Sequence, residues 1–156
     1  MEKEELKKFM KMALKEAEKG KEKDEVPVGA IVVFDGKVIA KAHNQKNEKK
    51  NALLHAEMVV LDKAQKKLND WHLSDATLFV TLEPCPMCAG AIISSRVGTV
   101  VFGAHDPKAG CFGSVLNFLD SPFNHKPKII SNILEKDCGN ILTTYFKEKR
   151  SKKNAN

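Results

Sequence analysis

The chain has 156 residues, of which 42% are apolar and 29% charged, and its formal net charge is +6. That length bounds one domain with a core able to fold without a metal or disulfide staple. The opening run Met1-Glu2-Lys3-Glu4-Glu5 lacks a following apolar stretch, and no segment is long and apolar enough to span a bilayer. The expectation is therefore neither a secreted nor a membrane-spanning protein but a cytoplasmic one, whose four cysteines are reduced and free for metal binding or catalysis.

Apolar residues at Leu6, Phe9, Met10, Ala13, Leu14 and Ala17 recur at helical spacing and predict an amphipathic helix ending near Gly20. Residues 28–34 predict an apolar strand, Asp35-Gly36 a hairpin turn, and residues 38–42 the antiparallel partner. Residues 44–54 are polar and read as loop. A helix follows from about His55 to Leu68, carrying Val59, Val60, Leu61 and Ala64, and then a buried strand over 76–82. Pro84 and Pro86 bracket the start of a short helix through about Ser95. Its Met87, Ala89, Ala91, Ile92 and Ile93 make it apolar nearly all round, which predicts burial. A strand over 99–102, a loop with Gly103, Pro107, Gly110 and Gly113, a short strand at Ile129-Ile130 and a helix over about 137–149 complete the chain. Residues 147–156 read as a basic, partly frayed tail. Helices alternate with strands after the hairpin, so the expected architecture is α/β: one domain, a three-layer α/β/α stack on a five-stranded mixed sheet.

Charge is uneven. Residues 1–25 hold eight acidic and eight basic side chains, which cancel. Lys147, Lys149, Arg150, Lys152 and Lys153 face only Glu148, and Lys41, Lys46, Lys49 and Lys50 face only Glu48. Such clusters attract phosphate backbones, although a solvated surface is the plainer reading of either taken alone.

The chemistry-bearing residues stand at two predicted helix starts. His55-Ala56-Glu57 opens one and Pro84-Cys85-Pro86-Met87-Cys88 the other. A C-x-x-C pair grips one zinc through two sulfurs, and a histidine supplies a third ligand. The fourth position is then open to water, whose pKa zinc lowers to roughly 7. Glu57, two residues from His55, is the natural proton shuttle. Each part has a plainer reading alone: a redox pair or half a structural zinc knuckle for the cysteines, a capping or core histidine, a solvated carboxylate. A knuckle needs a fourth ligand, and none of His43, His72, His105, His125, Cys111 and Cys138 lies at knuckle spacing. Cys111 and Cys138 read as small apolar thiols. Taken together, the residues match the H-x-E and P-C-x-x-C signature of zinc nucleobase deaminases at every defined position.

From about Leu6 to Phe146 the chain resembles the bacterial tRNA-specific adenosine deaminases of the cytidine deaminase superfamily. The resemblance is carried by Glu25-Val26-Pro27-Val28-Gly29-Ala30, Asn44, His55-Ala56-Glu57, Thr81-Leu82-Glu83-Pro84-Cys85-Pro86-Met87-Cys88-Ala89-Gly90-Ala91, Val101-Phe102-Gly103-Ala104 and Asp106-Pro107-Lys108-Ala109-Gly110. It implies a cytidine deaminase-like fold and one zinc ion per subunit on His55, Cys85 and Cys88, with Glu57 as general acid and base. It further implies that Asn44 and the Ala56 N–H hold the flipped base, that Val28 lines the pocket and that Asp106 contacts the backbone or ribose beside it. The implied reaction is hydrolysis of adenosine to inosine at the wobble position of a tRNA anticodon loop. The implied assembly is a homodimer whose two subunits both touch that loop. His105 stands where the family commonly has arginine. His105, Lys108, Lys147, Lys149 and Arg150 are the expected RNA contacts. Helical spacing from Ile141 and Leu142 puts Phe146 in the core or a dimer interface, with base stacking as its alternative role.

Overall fold

The structure is a computed structural model and describes residues 1–155. Helix α1 (Lys3–Glu22) buries Leu6, Phe9, Met10, Ala13 and Ala17 on one face and runs two residues past Gly20. Strands β1 (Gly29–Phe34) and β2 (Lys37–His43) pair antiparallel. Asp35 and Gly36, at φ 52° and 74°, form the left-handed two-residue turn that the Asp-Gly pair predicts. Helix α2 (Ala56–Leu68), strand β3 (Ala76–Leu82), helix α3 (Pro86–Ser94), strand β4 (Thr99–Ala104), strand β5 (Lys128–Ile130) and helix α4 (Glu135–Ala155) follow.

The five-stranded sheet has the order β2-β1-β3-β4-β5, with β1 antiparallel to both neighbours and β3, β4 and β5 parallel. Successive residues of a strand face opposite sides. Ala30, Val32, Leu78, Val80, Val100 and Phe102 accordingly join one buried cluster with α2 and α3 residues such as Val60 and Ile92. Ile31, Val33, Phe79 and Val101 join a second with Leu6, Phe9 and Met10 of α1 and Cys138 of α4. These two clusters are the two interfaces of the expected α/β/α stack. Among the described residues no helix is long and apolar enough to cross a membrane.

Four local readings change. Strand β4 continues through Gly103 to Ala104, because Ala104 pairs with Leu82 and its carbonyl accepts the Glu83 N–H at 2.9 Å. Gly103 suits that extension, since a Cβ there would strike the Cys138 sulfur. Helix α3 is not buried all round: Cys88, Ala89, Ile92 and Ile93 face the core, whereas Met87, Gly90, Ala91 and Ser94 form a strip left partly or fully open. Helix α4 does not fray at Lys147 but stays helical to Ala155, held by Lys149 Nζ on Asp24 Oδ2 at 2.9 Å and by Lys21 near Glu148. Asn156, the last residue of the basic tail, lies outside the described residues. Phe146 is not core, being 44% exposed, and Tyr145 takes the buried position. Tyr145 lies two helical turns after buried Cys138 and shares its face; Phe146 is one step, about 100°, around the helix.

Candidate active site and metal centre

Strands β2 and β3 both run opposite to β1, so they run the same way, and β4 runs with β3. The segments that follow these three strands therefore emerge at one edge of the sheet. In open α/β sheets this edge, at the carboxyl ends of the strands, is where ligands bind. Here it collects the start of α2, the start of α3 and the loop over residues 105–114. His55 is the N-cap residue of α2, Cys85 the N-cap residue of α3, and Pro86 occupies the first helical position, where a missing N–H costs nothing. Neither N-cap side chain caps its own helix. Both point to a shared centre instead.

The Cys85 and Cys88 sulfurs each lie 3.6 Å from His55 Nδ1, and all three atoms fall within 4.8 Å of one another. The donor set and its spacing fit zinc. Tetrahedral bonds of about 2.3 Å to sulfur and about 2.1 Å to nitrogen put a sulfur and a nitrogen about 3.6 Å apart. Electrostatics agree. The Cys88 thiol donates to Cys85 and, with His55 beside it, holds Cys85 down to about 4, so Cys85 is a thiolate. The same bond, burial and the neighbouring Glu57 push Cys88 up; a divalent cation reverses that by replacing the shared proton. His55 is raised, first by its bond to Cys85.

Glu57 lies in the first turn of α2, 4% exposed, and burial pushes its carboxyl up to about 7 against the opposing pull of a backbone amide and His55. A carboxyl poised near neutrality can both take and return a proton. It lines a cavity of about 210 Å³ with His55, Cys85, Ala56, Val28, Asn44 and Asp106. Every expected catalytic and base-binding residue thus meets in one cavity, with Cys88 buried beside it. The Ala56 N–H is the first of α2 and has no partner within the helix.

Val26, Lys46, Leu82, Glu83 and Ala109 also line the cavity and were absent from the sequence-derived set. Val26, Leu82, Glu83 and Ala109 lie inside the motif strings that carry the family resemblance, which is the available signal; Lys46 has none beyond following Asn44 by two residues. Both loops at the rim hang on buried carboxylates. Glu25 accepts the Asn47 and Glu48 amides at 2.9 and 2.7 Å, and Asn44 Oδ1 accepts the Lys46 amide at 3.1 Å. Glu83 holds the 105–114 loop.

The expected RNA contacts divide. His105 and Lys108 lie on the loop that brings Asp106 and Ala109 into the cavity but do not line it themselves; His105 Nδ1 is 3.2 Å from Glu83 Oε1, and the Lys108 amide donates to Asp106 Oδ1 at 3.0 Å. Phe146, Lys149 and Arg150 line a separate groove on α4 with Lys152 and Lys153, and Lys147 is exposed nearby on the same helix.

The fold and the site together define a deaminase of the cytidine deaminase-like class. The family model described as MafB19-like deaminase matches residues 4–150. A tRNA-specific adenosine deaminase of Bacillus subtilis (strain 168) is 53% identical over 148 residues, covering 94% of this chain and 92% of that protein. One from Streptococcus pyogenes serotype M1 is 42% identical over 146 residues, covering 93% and 85%. A solved structure from a study of A-to-I editing by tRNA:A34 deaminases superposes with a TM-score of 0.84 at 42% identity, covering 86% of this chain and 98% of that one. The chain belongs to the family of tRNA-specific adenosine deaminases.

Proposed function

We propose that this chain is a single zinc-dependent deaminase domain that hydrolyses adenosine to inosine at the wobble position of a tRNA anticodon loop. The observation that carries the reading is a buried carboxyl poised near neutrality beside a three-ligand His55, Cys85, Cys88 set, in a cavity sized for a small group. Three ligands leave a coordination position open, and an open position is what separates catalytic from structural zinc. When bound, zinc supplies the Lewis acidity that makes water a nucleophile near neutral pH.

Glu57 takes a proton from the attacking water as its oxygen bonds C6 of adenine, and places that proton on ring nitrogen N1. The new hydroxyl on C6 then gives up its own proton. Glu57 passes it to the amino nitrogen, the C6–N bond breaks, and ammonia leaves inosine behind. Asn44 and the Ala56 N–H orient the base, Val28 packs against it, and Asp106 holds the adjoining backbone or ribose. The base must leave its stack to enter, and a loop base does so at low cost. His105 and Lys108 on the 105–114 loop and Lys147, Lys149 and Arg150 on α4 hold the RNA, with Phe146 available to stack. The family resemblance brings a homodimer, for which the open strip Met87, Gly90, Ala91 and Ser94 on α3 is available. A tRNA substrate fits the expected cytoplasmic location.

The test is to incubate zinc-loaded protein with total tRNA and with free adenosine, cytidine and guanine. Inosine in tRNA alone is the expected result; turnover of free guanine with none in tRNA overturns the assignment. Glu57→Gln keeps one zinc per chain and loses activity by a factor of about 10²–10⁴, the usual worth of a positioned acid–base group. Normal turnover in that variant removes Glu57 from the chemistry.

A further inference from the structure

The side chain of Glu83 is fully buried, and the residue directly follows β3, the strand that leads to Cys85. A buried carboxylate is costly unless donors surround it. Here five donor groups do. Oε1 accepts the Asp106 amide at 3.1 Å and the Ser114 hydroxyl, and lies 3.2 Å from His105 Nδ1. Oε2 accepts the Phe112 and Ser114 amides at 3.0 and 3.1 Å. Two backbone bonds flank this cluster: Glu83 N–H to the Ala104 carbonyl and Cys111 N–H to the Pro84 carbonyl, each at 2.9 Å. Gly110 lies flat on the carboxylate, and a Cβ there would strike it.

The loop so gathered is the one that carries Asp106 and Ala109 into the cavity. Within it, Asp106 Oδ1 accepts the Lys108 and Ala109 amides and the Asp106 carbonyl accepts the Gly110 amide, so the segment moves as a unit. One carboxylate therefore joins the strand end that sets Cys85 to the loop that sets Asp106. Loops of this length are ordinarily the mobile part of a domain. This one is tied at both ends and in the middle to the same buried group.

We propose that Glu83 is a positioning residue: by clamping the Asp106, Phe112 and Ser114 amides it fixes the 105–114 loop relative to the metal centre and presents Asp106 to the RNA. The RNA half of this statement rests on the function proposed above; the clamp itself does not. Glu83 borders the cavity, but both its carboxylate oxygens are engaged by the 105–114 loop, so it acts through that loop. Its effect belongs in substrate binding, whereas that of Glu57 belongs in turnover.

Glu83→Gln tests this with little change of volume. Each carboxylate oxygen meets at least one backbone N–H, so either orientation of the amide sets an NH₂ against a donor and breaks part of the clamp. The expected variant keeps one zinc per chain and a cooperative melt. In it the amides of Asp106, Phe112 and Ser114 exchange with solvent about tenfold faster, as expected for losing one or two buried hydrogen bonds. With an anticodon stem–loop RNA its KM rises about tenfold while kcat stays within about threefold. Combining it with Asp106→Ala adds no further loss, since both act on one contact. Gly110→Ala is the second variant. Its backbone is not left-handed, so the new methyl strains only the carboxylate, and the same pattern is expected. Unchanged amide exchange in both variants overturns the clamp. Faster exchange with an unmoved KM, or losses that add in the double variant, overturns the positioning role. A wild-type protein inactive on the stem–loop overturns the proposed function instead, and the exchange measurement still decides the clamp.

Discussion

Glu57 is asked to carry charge in a place that disfavours it. Its carboxyl is raised from 4.5 to about 7, chiefly by burial, so in the metal-free chain the folded state holds a proton that the unfolded state has lost over that interval. Below pH 4.5 both states are protonated and nothing is lost. As pH rises from 4.5 to 7 the unfolded state alone ionises, and stability falls by on the order of 3 kcal/mol. Glu57→Gln removes that slope. Urea melts of the metal-free proteins at pH 4.5 and 7 therefore show the variant gaining on the wild type by that amount. Parallel curves for the two proteins defeat the claim. Cys85, lowered to about 4, contributes a slope of opposite sign, but both proteins share it. Buried acids of this kind are only half legible in a sequence. Glu57 was visible because its partner His55 is two residues away. Glu83 and Glu25 were not, because their partners stand between 22 and 31 residues away and only the folded chain brings them together.

Helices α2 and α3 both begin on a candidate metal ligand where a Ser, Thr or Asp would ordinarily cap the first turn, at a cost of about 1 kcal/mol each. On the proposed function, zinc would offset that cost by tying the two starts together. Chelation should therefore do more than stop turnover. With a metal held about a thousandfold above its dissociation constant, binding contributes about 4 kcal/mol, and its removal lowers Tm by roughly 10 °C in a chain of this size. Amide exchange should rise most in the first turns of α2 and α3, beyond the general rise in β1 and β3 that the lost global stability brings. A uniform rise would mean that the ion holds the whole domain rather than the two helix starts. The same local logic explains which elements were legible. The Asp35-Gly36 turn, the 3.6-residue pattern of α1 and the ligand spacings each depend on near neighbours. The open strip on α3 depends on what covers an apolar face, and the anchoring of Lys149 on α4 depends on Asp24, over a hundred residues earlier. Pattern alone contains neither.

For the molecule as a whole, charge is segregated by face. Residues 1–25, which include α1, are balanced at eight acidic against eight basic side chains, whereas the end of α4 presents Arg150, Lys152 and Lys153 around the exposed Phe146. Lys149 is partly neutralised by Asp24, so among the described residues of this groove Arg150, Lys152 and Lys153 are the cations outside a salt bridge. This groove is separate from the cavity that holds Glu57, and the proposed function divides the work between them: the cavity would read one base, and α4 would supply sequence-independent attraction. Each phosphate contact releases counterions and adds about 0.7–0.9 to the slope of log affinity against log salt. Replacing Arg150, Lys152 and Lys153 with Gln should therefore weaken tRNA binding at every salt concentration and flatten that slope by roughly 2–3. The kcat on saturating stem–loop should stay within about twofold, because uniform binding lowers KM without touching the chemical step. A slope identical to wild type would remove α4 from the interface and leave the loop residues His105 and Lys108 to carry the RNA.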